Sequence, residues 1–395
     1  MKMQVYHQIG FRHIWNISSL GEDGAGDGII IAPRHMARTC VENLPKRIRE
    51  KAIFDPQFFL PNVAKGKLVT YDFFPDVMSE GFQTDVYIDK FSLESARKCV
   101  EFQESNFFRY ITIPTRYVTG MPTTYMEDQQ ELFINPFLKA IIDMGIKRKI
   151  LLQLVLNDDM IKDEEYSSDI LNWVTGITEI DGVYLIVERS LTPKQVKDID
   201  YLYSLLRFVD ILRLNNLDVV IGYVNIEAIL LSLADPSIVT IGSYENTRMF
   251  NIRAFEASDD REITGPTPRL YISRLLQCVD YRYIGAIIRA TDDKEDFFDK
   301  NKYQSIMFEP NYKWHFTKPE IYKHLFLVFG KQLEDLSGLE GRERYIKVAE
   351  LIKSAMNDYS MLEERGVVFD ENSDGSHLPI WLTAANQFAK HKGWR

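Results

Sequence analysis

Polar side chains that close short apolar runs carry most of the chemistry legible in this sequence. Asp55 interrupts "AIFDPQFF" (Ala52–Phe59), Glu188 and Arg189 end "GVYLIVER" (Gly182–Arg189), and Glu245, Asn246 and Arg248 follow "SIVTIGSY" (Ser237–Tyr244). A carboxyl in apolar surroundings resists ionisation unless a donor pairs with it, which is how a general acid or base is tuned. Asp55 is a candidate for that role, and the alternative is a structural ion pair with Arg34 or another arginine. Glu245 and Glu188 are the candidates for a second catalytic carboxylate. The other run-end residues are Arg34 and His35, Gln57, Thr115 and Arg116, Asn157 with Asp158 and Asp159, Tyr223 and Asn225, and Ser273 and Arg274. From them Arg34, Gln57, Arg116, Asn246, Arg248 and Arg274 are expected to bind substrate.

The stretch "IGSYENTRMFN" (Ile241–Asn251) has two readings. Gly242 and Ser243 give a tight turn, after which Asn246 or Thr247 could cap a helix bearing Arg248 and Arg253. Free amides at such a helix start favour an anion, and late loops of barrel folds often bind phosphate; a plain capped helix is the alternative.

Metal chemistry finds little footing. Asp158, Asp159 and Asp163 could hold magnesium, but "NDDMIKDEEYSSD" reads equally as an acidic loop running into a helix start. His35 has no second histidine at zinc-ligand spacing, and Cys40, Cys99 and Cys278 are scattered, so neither a disulfide framework nor a thiolate metal site is expected. No GxxxxGK[ST], GxGxxG or GxSxG occurs. The expectation is no metal and no cofactor.

These side chains need a scaffold, and a repeating pattern supplies one. Besides the three runs above, "GIIIAPR" (Gly28–Arg34), "YITIPTRYV" (Tyr110–Val118), "KILLQLVL" (Lys149–Leu156), "LDVVIGYV" (Leu217–Val224) and "RLYISRLL" (Arg269–Leu276) read as strands buried on both faces. Helix-like segments lie between them. "LTPKQVKDIDYLYSLLRFV" is expected to start on a Thr192–Gln195 capping box with Pro193 at its first position, and Asn225 precedes a helix that Pro236 stops. Eight such units fit a (β/α)8 TIM barrel, with a doubly wound open sheet as the competitor. The β rhythm stops near residue 300. A second capping box, Thr317 to Glu320, opens a helix closing on Gly330, and "GLEGRERYIKVAELIKSAMNDYSMLEERG" is a long amphipathic helix. The expected organisation is an N-terminal segment at 1–27, a barrel at 28–299 and a helical C-terminal extension at 300–395. Two long connections, 60–92 and 245–268, read either as loops over the active face or as packing for the C-terminal part.

Several of these runs, in order, resemble the tRNA-guanine transglycosylases and their 7-deazaguanine DNA-modifying relatives. "FDPQFF" is similar to the family's Asp-Ser-Gly-Gly-Phe strand end, with Asp55 and Phe59 matching. "ILLQLVL" resembles the strand that carries a base-recognising glutamine, which places Gln153 in the binding set. "EIDGVYLIVERS" resembles the strand that follows, and Thr247-Arg248 fall on the Thr-Arg of a later motif. The resemblance spans about residues 28–290 and implies a barrel that binds a nucleobase. It departs at the family's nucleophilic aspartate, which falls on Gly242, at the zinc ligands, which have no counterpart, and at the glycines that admit a flat purine, here Gln57 and Phe58.

Composition limits the partners. The 395 residues are 45% hydrophobic and 26% charged with a net charge of −10, which weighs against broad binding to a phosphate backbone. Lys46, Arg47, Arg49 and Lys51 form a local basic group that reads as a solvated helix face or a small nucleic-acid contact. The N-terminus lacks a signal-peptide core and no run is long enough to span a bilayer, so a cytoplasmic location is expected and the sequon at Asn16 is read as chance. Three functions remain open: a barrel that binds a nucleobase, nucleotide or nucleic acid and acts at a glycosidic bond; a non-catalytic subunit of a larger nucleic-acid-processing or defence assembly, joined through its C-terminal helices; and a carbohydrate-active hydrolase with paired carboxylates and Tyr71, Phe73, Phe74 and Tyr244 as sugar platforms.

Overall fold

Apolar runs without polar alternation need cover on both faces, and the sheet that they form provides it. In the computed structural model, which describes residues 2–60, 66–74, 92–189, 194–256, 265–292 and 297–395, eight strands pair in parallel. They are β1 (Gln4–Gln8), β2 (Gly28–Ile31), β3 (Ala52–Phe54), β4 (Ile111–Ile113), β5 (Ile150–Asn157), β6 (Gly182–Glu188), β7 (Asp218–Ile221) and β8 (Ile238–Gly242). Their spatial order is β3-β2-β1-β8-β7-β6-β5-β4. The two ends of that order approach each other, where the Arg109 amide donates to the Ala52 carbonyl at 2.9 Å. The sheet is therefore a nearly closed (β/α)8 barrel, not an open doubly wound sheet.

The strand count is right but displaced by one. The first strand is "QVYHQ" in the segment expected to precede the barrel, paired with β2 on one side and β8 on the other. Its polar residues hid it: His7 is fully buried because its ring bonds the Ala25 carbonyl at 2.7 Å, while Gln8 points inward. The run Arg269–Leu276 is not a barrel strand. It forms β9 (Arg269–Ile272), turns through Ser273–Leu275 with Leu276 in the left-handed region, and returns antiparallel as β10 (Gln277–Asp280). With β1 seated between β2 and β8, the sheet has no opening for it.

Strand alternation separates two cores. Tyr6, Ile30, Ile53, Tyr110, Leu151, Tyr184, Val220 and Ile238 form the inner one, at every second position. Their neighbours Ile29, Ile31, Ile111, Leu152, Val183, Val219 and Val239 face the helices. The helices that bear on the site are α1 (His13–Glu22), α2 (Ser92–Ser105), α3 (Asp158–Lys162), α4 (Glu164–Thr175), α5 (Ile199–Leu214) and α6 (Ala228–Leu231), followed by α7 (Pro319–Ser337), α8 (Gly341–Glu364) and α9 (Leu378–His391). None among the described residues is long and apolar enough to cross a membrane.

Several helix starts differ from expectation. Thr192 and Pro193 lie outside the described residues, and α5 begins at Ile199 under Asp198, whose carboxylate accepts from the Tyr201 amide at 3.0 Å. Gln195 is buried and donates to Gln277 at 2.7 Å. Pro319 starts α7 without a Thr317 cap, because the Thr317 amide and hydroxyl engage His315 instead; the helix runs through Gly330 to Ser337. The acidic stretch resolves as two capped starts, with Asn157 accepting from the Met160 amide and Asp163 from the Tyr166 amide, and Lys162 pairs with Asp158 and Asp159. Around Lys46, Arg47 and Arg49, a short helical turn buries Ile48 and exposes Lys46 and Arg47, while the half-buried Arg49 donates to Asn106 at 2.9 Å.

Candidate functional site

Asp55 follows β3 on the inward side and is fully buried among neutral polar groups. Gln153 of β5 donates from Nε2 to its Oδ1 at 2.6 Å, and the Gln57 backbone amide donates to the same oxygen at 3.2 Å. Gln57 Nε2 and the Tyr223 hydroxyl each lie 3.4 Å from Oδ2. Burial raises the carboxyl to about 7, against the opposing pull of the Gln153 and Gln57 donors, so the proton is exchangeable near neutrality. The partners are two amides and a phenol. Arg34 contributes only its backbone amide, which donates to Gln57 Oε1 at 2.9 Å; its guanidinium stacks 4.9 Å from the Phe255 ring centre, and burial lowers its pKa.

Two of the groups around Asp55 hold strained backbone. Gln57 has φ 58° and Tyr223 φ 54°, left-handed values that non-glycine residues seldom adopt, and each residue contacts the carboxyl. Below this cluster, four buried polar atoms from four strands lack a hydrogen-bond partner: Gln8 Nε2, Thr112 Oγ1, Gln153 Oε1 and Thr240 Oγ1. Tyr184 points into the same interior and donates to Gln8 Oε1 at 3.4 Å, its ring fitting because Gly222 has no Cβ. A Cβ on Gly222 would stand 2.5 Å from the ring. The barrel centre thus carries polar side chains with donors and acceptors to spare among the described residues.

Aromatic side chains close it. Phe59 meets Phe250 and Phe255 edge-on at 4.9 and 4.8 Å, and Tyr223 meets Phe250 at 5.3 Å. Phe250, Ile252 and Phe255 come from the connection after β8, whose described part therefore plugs the barrel mouth; residues 257–264 lie outside the described set, as do 61–65 and 75–91 of the other long connection. Glu188 anchors the plug by accepting from the Ile252 amide at 2.9 Å, while Arg189 turns toward Glu227, 3.6 Å away. Glu188 is thus the residue on the mouth side of β6.

The remaining candidates lie elsewhere. Compared with models of known families and with curated proteins, this chain matches none. Glu245 sits outside the barrel, paired with Lys194 at 2.6 Å; burial opposes ionisation, but Lys194 together with Arg248 and Arg269 outweighs it and lowers the pKa. Arg248 is buried beside it, donating to Cys278 Sγ at 3.1 Å and to Asn225 at 3.4 Å. No helix begins there. Glu245–Thr247 is a single tight turn with Asn246 exposed, and Asn251 caps the next turn, Ile252–Ala254. Arg116 stacks over Phe133 of the outer core at 5.3 Å. Arg274 makes a two-pronged pair with Asp358 of α8, at 2.7 and 2.9 Å, which docks the C-terminal layer. Tyr71, Phe73 and Phe74 are core residues with at most 1% exposure and offer no sugar platform.

At Gly242 a Cβ would stand 2.2 Å from Thr247 Oγ1 and 2.5 Å from the Thr247 carbonyl, so the backbone there leaves no room for a side chain. Among the described residues, no three His, Cys, Asp or Glu side chains are placed to share a metal ion. Sequence reasoning missed Gln8, Thr112, Tyr184 and Thr240. Their signal was a polar residue at an inward position of an otherwise apolar strand.

Proposed function

We propose that this barrel binds a nucleobase or nucleotide against Asp55, Gln57, Gln153 and Tyr223, with Asp55 moving a proton on the ring. The observation that carries the reading is a fully buried carboxyl raised to about 7 and held between two carboxamides, one of which has a spare carbonyl oxygen. Heterocyclic bases present donors and acceptors side by side on one planar edge, which carboxamides and a protonated carboxyl match. Phe59 offers a ring face to stack on such a plane once the plug, with Phe250 and Phe255, withdraws.

Binding is favoured over base exchange. Glu188 is occupied by the Ile252 amide, Glu245 belongs to a different cluster, and Gly242 has no room for a carboxylate. Those same facts weigh against a hydrolase with paired carboxylates and leave a binding subunit of a larger assembly as the second reading. Calorimetric titration of the full chain with guanine, 7-deazaguanine and their nucleosides tests the proposal. Saturable binding that weakens about tenfold or more in Gln153→Leu is expected, since a lost hydrogen bond strands the buried carboxyl. No binding at millimolar ligand sinks it. Labelled guanine supplied with tRNA or duplex DNA separates binding from exchange, and incorporation would require a nucleophile other than residue 242.

A further inference from the structure

Outside the barrel, the loop after β8, the β9–β10 hairpin and α7 line a half-open cavity of about 30 Å³, bordered by Glu245, Arg248, Thr267, Arg269, Cys278 and Tyr322. Two guanidinium groups face it, and both are more than nine-tenths buried: Arg248 is 7% exposed and the Arg269 side chain 9%. Each leaves its Nε–H without an acceptor. Their Nη1 groups are committed. Arg248 Nη1 serves Cys278 and Asn225, and Arg269 Nη1 serves the carbonyls of Cys278 and Asn372 and the Ser373 hydroxyl. Glu245, the carboxylate that lines the cavity, stands 3.8 Å from Arg269 Nε, beyond hydrogen-bond reach, and is already held by Lys194, while Asp280, opposite Arg269 on the hairpin, is held by Arg282. Arg248 and Arg269 therefore each keep a buried charged donor without an acceptor among the described residues, which is costly.

We propose that an oxyanion of the phosphate class binds between Arg248 and Arg269, one oxygen accepting from each Nε–H. The cavity holds about two waters and opens outward, so it seats two oxygens of such an anion while the rest of the group projects from the mouth. Arginine's fixed planar donors suit phosphate oxygens, and the low dielectric strengthens the contact. The site stands apart from the Asp55 cluster and does not depend on what that cluster binds. Its anion is either free phosphate or the phosphate of a nucleotide.

The test is titration of the full chain at low ionic strength with inorganic phosphate, guanosine and guanosine 5′-monophosphate. Saturable phosphate binding is expected, weakened about tenfold or more in Arg269→Gln and strengthened several-fold in Glu245→Gln, which removes the competing carboxylate. Tighter binding of the monophosphate than of either phosphate or guanosine identifies a nucleotide as the source, and equal binding of phosphate and monophosphate identifies the free anion. Asp55→Asn retains phosphate binding whatever it does to base binding, so failure at one site is distinguishable from failure at the other. Absence of saturable binding of both phosphate and monophosphate overturns the proposal, as does binding unchanged in both Arg269→Gln and Glu245→Gln.

Discussion

Asp55 makes a residue-scale prediction whose sign follows from its pKa. The folded value is raised from 3.8 to about 7 because burial penalises the charged form. Between those values the folded chain binds the proton and the unfolded chain does not, so this group's contribution to stability is greatest in acid and falls as pH rises through 7. Three units correspond to about 4 kcal/mol. His7, His35 and His377, held at about 4 chiefly by burial, act in the opposite sense at the acid end, so only the difference between variant and wild type isolates Asp55. Asp55→Asn is expected to be more stable than wild type by on the order of 2 kcal/mol at pH 8, with the advantage vanishing near pH 5. Parallel urea-unfolding curves at both pH values would rule out a buried, proton-binding Asp55. This residue was legible because a carboxyl inside "AIFDPQFF" has no ordinary place; Tyr184 and Thr240 were not, because a lone hydroxyl in an apolar strand is usually satisfied by its surroundings.

At the scale of elements, the plug after β8 is held by two kinds of force. Phe250 and Phe255 pack on Phe59, and the Glu188 carboxylate accepts the Ile252 amide while β6 bridges to Phe250. Removing the carboxylate leaves a backbone donor unsatisfied, a cost of about 1–3 kcal/mol that falls on the plug alone. Glu188→Ala is therefore expected to speed hydrogen exchange at residues 250–256 by about tenfold or more, while the β5 and β6 amides stay protected. Unchanged exchange would mean that the aromatic contacts suffice by themselves. The elements were legible where both faces are apolar, as in β5 and β6. They were misread where polar side chains find partners within the fold: β1 falls in a segment read as preceding the barrel until the Ala25 carbonyl meets His7, and β9 reads as a barrel strand until Leu276 turns it back.

For the whole molecule, the change of pattern near residue 300 marked the helical extension, but nothing in the sequence showed how closely it joins the rest of the chain, since its anchors lie from 53 to 185 residues away along the chain. Arg344 reaches the Ser232 carbonyl and Asp235 Oδ1, both at 2.7 Å, Lys392 pairs with Asp210 at 2.7 and 2.9 Å, and His324 meets the Tyr271 carbonyl at 3.0 Å. Trp381 of α9 is fully buried and donates to the Val196 carbonyl at 2.9 Å, next to the start of α5. A layer docked through buried polar and aromatic contacts of this kind should melt together with the barrel. Calorimetry is therefore expected to give one transition for the full chain, and Trp381→Ala, at about 3–5 kcal/mol for a lost large aromatic, should lower the whole of it by several degrees without splitting it. Two transitions, with only the lower one moved by the substitution, would instead describe a barrel that folds without its helical cover. The Arg248–Arg269 cavity would then be the part most altered by melting of the helices, because α7 forms one of its walls.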